Sequence, residues 1–472
     1  MPVGDAPIAL LPAAELRRRV GAGDLSPTEV LLACLRQVGR HNDQINAVVT
    51  LDPTAMEQAR DLERRLAAGE RPGLLCGLPV GIKDTTPVAG VRTTYGSPLY
   101  SDHVPREDAL VVRRLRAAGA VILGKTNTPE FAAGGNTFNQ VFGSTRNPWN
   151  PELSAGGSTG GGAAALATGM IALAEGTDLG GSLRVPASFC GVTGLRPSPG
   201  LVPTVPTEWP GDDLSVTGPM ARTAADVALM LQAVWGPADE PPRRDPDRRA
   251  GRDFVGAVEN GPAPGLRIAY VSDPAGLGTD PELEGVCREA AEALTGTGAR
   301  VEHIDLDLSG GFDTFLTLRG RWMVKHHRAR MARLDELGEN LAGNIRSGLA
   351  LFPEEVAAAE RAREELRAKV LGVLEPYDHI LTPCVPVPPF PVGQNYPRRI
   401  GGRELGSYIE WIAPTFVLTL TGLPVACVPA GTDASGLPVG IQIVGRPNCE
   451  ESVLALAALV ERLRPIGRPP GV

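Results

Sequence analysis

The chain has 472 residues, with 46 Lys plus Arg against 54 Asp plus Glu and a net charge of −8 at pH 7. A hydrophobic fraction of 43% and a charged fraction of 21% exclude global disorder. The acidic balance excludes the basic stripe with which a dedicated nucleic-acid binder neutralises phosphates.

The longest apolar run covers residues 163–174, short of the roughly 20 residues a spanning helix needs, so no membrane segment is expected. Asp5 stands where a secretory signal would carry basic residues. Seven cysteines are scattered without a CxxC pair, a pattern that fits free thiols in a reducing cytoplasm. Six histidines form no HExxH, and His326 and His327 are adjacent rather than helix-spaced. No metal and no cofactor are therefore expected. Only four basic residues are lysine: Lys83, Lys125, Lys325 and Lys369. Arginine keeps its proton in every ion-pairing role, whereas lysine can be tuned to release one, so each of the four invites a chemical question.

In chain order, residues 8–68 read as helical. Ser26, Pro27 and Glu29 make a capping box with proline at the first helical position. Residues 78–82 and 120–124 read as short buried strands around a helix at 109–118 whose arginines face outward. That strand–helix–strand rhythm predicts a largely parallel sheet covered by helices. Residues 154–200 hold two glycine clusters around an Ala-rich helix, a density that suits close approach of backbone to a ligand. Residues 236–264 read as a surface loop. The α/β pattern then resumes with a strand at 267–271, a helix at 281–295 and a strand at 299–306. Residues 320–375 read as mainly helical, 383–397 as an ordered loop, 437–445 as a last strand and 451–463 as a closing helix.

Three short segments carry chemistry. Lys83 ends the first buried strand, where desolvation lowers an amine's pKa and makes it a competent general base at neutral pH. Ser182 follows Gly180 and Gly181. Backbone N–H groups of Leu179, Gly180 and Gly181 could converge there as an oxyanion hole, worth about 3 kcal/mol per donor. Ser158 lies in the other glycine-rich turn, where it could bridge base and nucleophile or simply cap a helix. The plainer reading of Lys83 is an ion pair with Asp84.

These segments resemble the amidase signature family of Ser–Ser–Lys hydrolases. The resemblance extends over most of the chain. It includes Gly124–Phe131, Arg146–Trp149, Phe189–Gly191, Gly194–Pro197, Gly218–Arg222, Leu437–Gln442 and the 24-residue step from Ser158 to Ser182. It implies Ser182 as the acyl-forming nucleophile, Ser158 as a bridging serine on a cis peptide, and Lys83 as the base. Leu179, Gly180, Gly181 and Ser182 would form the oxyanion hole, and Thr159, Asp178 and Arg184 would support it. Thr159 stands where many members carry a second serine. Ala132, Ala133, Gly134, Gly135 and Asn136 align with a stretch that lines the family's acyl pocket.

The fold implied is one α/β/α domain over 1–472, a large mixed, mostly parallel sheet with helices on both faces. Its parts would be an N-terminal helical region at 8–68, a signature core at 74–230, the 236–264 loop and a C-terminal part at 265–472. The reaction implied is hydrolysis of carboxylic amides, with esters and carbamates as neighbouring classes. The partner would be a small-molecule amide, not nucleic acid or membrane, and the protein a cytoplasmic monomer or homodimer.

Two other readings compete. The family also resembles the amidase component of tRNA-dependent amidotransferases, although residues 204–215 do not show that component's usual pattern. Gly156–Gly160 also fits a G-x-S-x-G elbow, which would make Ser158 the nucleophile with a histidine such as His379; but no strand signature precedes it. Lys125 reads as structural and the cysteines as core fillers. His326 and His327 read as helical residues near the surface. Trp209, Trp322, Trp411 and Phe416 are candidate pocket walls or core.

Overall fold

Ser26 begins the first long helix as expected. Its hydroxyl accepts from the Glu29 N–H, the Glu29 carboxylate accepts from the Ser26 N–H, and Pro27 is the first residue of the helix Pro27–Ile45. The computed structural model describes residues 8–71, 73–239 and 251–472. Asn46, in the left-handed conformation, ends this helix. The chain then enters a strand, Val48–Leu51, before the helix Ala55–Ala67. The N-terminal region is therefore helical with one strand inserted. That strand has only four residues, too few for its alternation to register in sequence.

Eleven strands form one sheet. They are β1 (Val48–Leu51), β2 (Pro79–Lys83), β3 (Val121–Thr126), β4 (Leu173–Asp178), β5 (Thr193–Arg196), β6 (Val216–Ala221), β7 (Arg267–Tyr270), β8 (Arg300–His303), β9 (His379–Cys384), β10 (Val425–Thr432) and β11 (Pro438–Val444). Their order is β1-β3-β2-β4-β6-β5-β10-β11-β9-β7-β8. The α/β expectation holds, with helices packed around a mixed sheet. Parallel pairing, however, is confined to β3-β2-β4 and β9-β7-β8, and the remaining neighbours are antiparallel. The strand–helix–strand rhythm was visible only in the segments that do pair in parallel. β5, β6 and β10 carry no such rhythm and reverse the direction.

Two further expectations are corrected. Within 236–264, residues 240–250 lie outside the described residues, and Phe254–Asn260 is a helix rather than loop. Asp253 caps it by accepting from the Gly256 N–H at 2.9 Å, and Phe254 is fully buried. In the helix Leu110–Ala117, Arg114 does not face outward. It is buried, and its Nη1 donates to the carbonyls of Val234 and Gly236 at 2.7 and 3.0 Å.

The consequence for the site lies in β2 and β4. They are parallel neighbours, with Val80 opposite Leu173 and Ile82 opposite Glu175. Parallel strands share a carboxyl-terminal edge, the edge at which α/β sheets place ligands. Lys83 ends β2 and Asp178 ends β4 at that same edge.

Candidate active site

Lys83 is fully buried. Its Nζ lies 2.7 Å from Ser158 Oγ, 3.0 Å from Thr159 Oγ1 and 3.0 Å from Thr177 Oγ1. The ion pair with Asp84 does not form. The Asp84 carboxylate instead accepts from the Thr94 N–H and hydroxyl. Burial pushes the Lys83 amine down to about 7, against the opposing pull of Glu175 and Asp178. A neutral amine has one lone pair and two N–H groups. Three hydroxyl neighbours match that set: it can accept from Ser158 and donate to the two threonines.

Ser158 sits on a cis Gly157–Ser158 peptide and is fully buried. Thr137 holds its turn: its hydroxyl donates to the Gly156 carbonyl at 2.8 Å and accepts from the Gly160 N–H at 3.1 Å. The turn packs against the backbone of 134–136. A Cβ at Gly157 would come within 3.0 Å of the Gly134 oxygen.

Ser182 is half-buried, in the turn between β4 and the helix Arg184–Cys190. No described residue hydrogen-bonds to its hydroxyl. Asp178 builds the turn. Its carboxylate accepts from the Gly181 N–H at 2.9 Å and the Leu183 N–H at 3.1 Å. Arg184 donates to both Asp178 oxygens, at 3.1 and 2.9 Å, and Arg196 lies 3.4 Å from one of them. Burial works against this charge, but Arg184 and Arg196 hold the carboxyl well below the usual range. The expected oxyanion set is therefore corrected at one position: the Gly181 N–H is already committed to Asp178. The N–H groups of Leu179, Gly180 and Ser182 have no acceptor among the described residues. Gly181 cannot carry a side chain, since a Cβ there would lie 2.3 Å from Thr415 Oγ1.

Removing one member of a buried charge cluster strands the others. Asp178→Asn is accordingly expected to destabilise the fold by about 3–5 kcal/mol, read as a lower denaturation midpoint in urea. An unchanged midpoint would mean that Arg184 and Arg196 do not depend on that charge.

The stretch 132–136 divides. Ala132 lines a cavity of about 660 Å³ that reaches Thr177, the hydroxyl beside Lys83. Ala133 is buried against Met323 and Leu341 instead. Gly134 and Gly135 are packing positions; a Cβ on Gly135 would meet the Trp411 ring at 2.8 Å. Asn136 is fully buried and does not line the cavity. Its Nδ2 donates to the carbonyls of Val392 and Gln394, and its Oδ1 accepts from Ser154. Of these five, only Ala132 lines the cavity.

Of the aromatic candidates, Trp209 and Trp322 line the cavity. Trp411 is core, stacked on Phe189, and Phe416 is core, stacked on Phe315 at 4.2 Å. His327 is buried rather than near the surface and packs edge-on against Phe131. His379 Nε2 lies 3.2 Å from Ser452 Oγ, while the Ser158 hydroxyl contacts Lys83; the elbow reading thus finds its histidine elsewhere.

Three contributors escaped the sequence. Thr137 and Thr177 are ordinary threonines with no local signal. Glu175 lies fully buried on β4, where its carboxylate accepts from the Lys83 N–H at 3.1 Å and the Thr86 hydroxyl at 2.9 Å. Lys125 is buried too; its Nζ donates to the Thr86 carbonyl and Thr93 hydroxyl, so it braces the loop after β2.

At one edge of the eleven-stranded α/β sheet a buried lysine amine meets a serine hydroxyl, an arrangement suited to base-assisted nucleophilic catalysis. The chain belongs to the amidase family, whose model, described as Amidase, matches residues 29–454. It is 36% identical over 464 residues to an acylamidase of Rhodococcus erythropolis, covering 96% of each chain. It is 31% identical over 484 residues to a glutamyl-tRNA(Gln) amidotransferase subunit of Thermosynechococcus vestitus, covering 96% of this chain and 97% of that one. Among solved structures it resembles a bacterial aryl acylamidase of the amidase signature family, with a TM-score of 0.88, 28% identity and coverage of 98% and 97%. It also resembles 6-aminohexanoate cyclic dimer hydrolase, with a TM-score of 0.84, 28% identity and coverage of 98% and 99%.

Proposed function

We propose that this enzyme hydrolyses small carboxylic amides through a Ser182–Ser158–Lys83 triad and an acyl-enzyme. The observation that carries the reading is the 2.7 Å contact between Lys83 Nζ and Ser158 Oγ, made by an amine that burial brings to about 7. Lys83 accepts the Ser158 proton as Ser158 accepts that of Ser182. Ser182 Oγ attacks the amide carbonyl, and the tetrahedral oxyanion takes N–H groups of the 179–182 turn. The relay runs in reverse to protonate the leaving amine. Water then repeats the sequence on the ester and frees the acid.

Residues 1–472 act as one amidase domain, a cytoplasmic monomer or homodimer that engages neither nucleic acid nor membrane. Among the described residues no helix is long and apolar enough to cross a membrane. The likeness to the acylamidase supports free-standing amide hydrolysis. The likeness to amidotransferase components supports a second reading, a glutaminase that works inside a complex. A panel of amides, esters and carbamates, run on the isolated chain, separates the two. Turnover of simple aryl amides without a partner is the expected result. Glutamine hydrolysis that appears only with partner proteins would favour the second reading.

A further inference from the structure

The cavity beside Thr177 contains one cation with no counter-charge among the described residues. Arg330 lines it and is half-buried. Its Nε donates to Tyr100 Oη at 3.1 Å, and its Nη1 donates to the His326 carbonyl at 3.0 Å. The guanidinium carbon lies 4.5 Å from the Phe131 ring centroid, so the fork makes a cation–π contact as well as being tethered. Among the described residues no carboxylate stands within ion-pair distance of it. Only its Nε–H and one Nη1–H are used.

The neighbouring charges are otherwise accounted for. Asp212, on the same cavity, accepts from Trp322 Nε1 at 2.6 Å and lies 3.3 Å from His326 Nε2. Lys325 sits over the Trp209 ring at 4.7 Å. Arg321 pairs with Glu360. Glu208 also borders the cavity but is exposed, where solvent screens it. A half-buried guanidinium over an aromatic ring and tethered by two hydrogen bonds has its remaining donors held in place. The planar guanidinium fork matches the two oxygens of a carboxylate, a pairing stronger than a neutral hydrogen bond. Tyr95, Phe131, Trp209 and Trp322 give the rest of the cavity aromatic walls.

We propose that Arg330 determines specificity by binding a carboxylate on the substrate, distal to the amide that is cleaved, so that this enzyme prefers anionic amides with an aromatic body. The proposal rests on the amide-hydrolase reading above.

Matched substrates test it on the full chain. 4-Acetamidobenzoate is compared with acetanilide, and N-phenylsuccinamate with N-phenylbutanamide, for kcat and KM. In at least one pair the carboxylate member should be favoured about tenfold to a hundredfold in kcat/KM, mainly through KM. Arg330→Met should bring that ratio close to one, and Arg330→Lys should keep part of it. A wild-type ratio near one in both pairs, or a ratio unchanged in Arg330→Met, would overturn the proposal. If none of the four compounds is cleaved, the hydrolase reading fails on its own, and Arg330 is then read by NMR titration with benzoate against benzamide. Tighter benzoate binding that disappears in Arg330→Met supports the site. Equal binding of the two refutes it.

Discussion

Ser182→Ala is expected to abolish covalent labelling by a fluorophosphonate and to lower amide turnover by about a millionfold. The effect is that large because in the proposed mechanism the hydroxyl forms the covalent bond, and no other described hydroxyl occupies the same turn. Ser158 lies close in function but is fully buried and held by Lys83 at 2.7 Å, whereas Ser182 is half-buried and, among the described residues, free of protein hydrogen bonds to its hydroxyl. Its loss should hardly disturb the fold, with a change under about 0.5 kcal/mol. The backbone of the turn depends on the Asp178 carboxylate, not on the Ser182 side chain. Intact-mass spectrometry reads the adduct directly. An adduct that persists in Ser182→Ala would move the nucleophile elsewhere, and peptide mapping to Ser158 would revive the elbow reading.

The second large effect concerns Lys83. Lys83→Met keeps the stem and removes the base, and the chemical step should slow by about two to four orders of magnitude. The pH profile carries the more specific signature. In the proposed mechanism the base works as the neutral amine, and burial brings Lys83 down to about 7. Below that pH the charged form dominates, so wild-type kcat/KM should fall about tenfold per pH unit. Above it the amine is neutral and the rate should level off. Lys83→Met should lose that inflection along with the rate. Near-normal turnover in the variant, or an inflection that survives at the same pH, would assign the base to another group.

In that role arginine could not replace Lys83, because it does not release its proton near neutral pH. Lys125 shares the burial and is pushed down to about 8, yet it is spent on the Thr86 carbonyl and Thr93 hydroxyl rather than on a serine. The two remaining lysines serve the surface. Lys325 stacks over Trp209, and Lys369 donates to the Asp307 carbonyl.

Legibility followed the range of each interaction. The capping box at Ser26 and Glu29 was read correctly because all its atoms lie within one helical turn. The Gly-rich turns around Ser158 and Ser182 form locally for the same reason, since backbone shape there depends on adjacent residues. The stretch 132–136 was read less well. Its small residues suggested an open pocket, but Gly135 is small because the Trp411 ring occupies the space, and Trp411 is 276 positions away. The buried strand β4 was likewise hidden, because Glu175, Thr177 and Asp178 break its apolar pattern.

The sequence by itself determined the chemistry that each local segment can offer: an amine at the end of a buried strand, two serines in glycine-rich turns, and an aspartate placed to hold one of those turns. Short-range backbone geometry and side-chain type suffice for that. The tertiary structure alone decided which of these groups meet. The parallel register of β2 against β4 puts Lys83 and the Thr177–Ser182 segment at one sheet edge, and the packing of 134–137 beneath the Gly156–Gly160 turn delivers Ser158 to Lys83 across 75 residues of chain. It also decided which N–H groups of the 179–182 turn have no acceptor among the described residues, and that Arg330 has no acidic partner among them. Such facts depend on contacts between distant segments, and no local pattern encodes them.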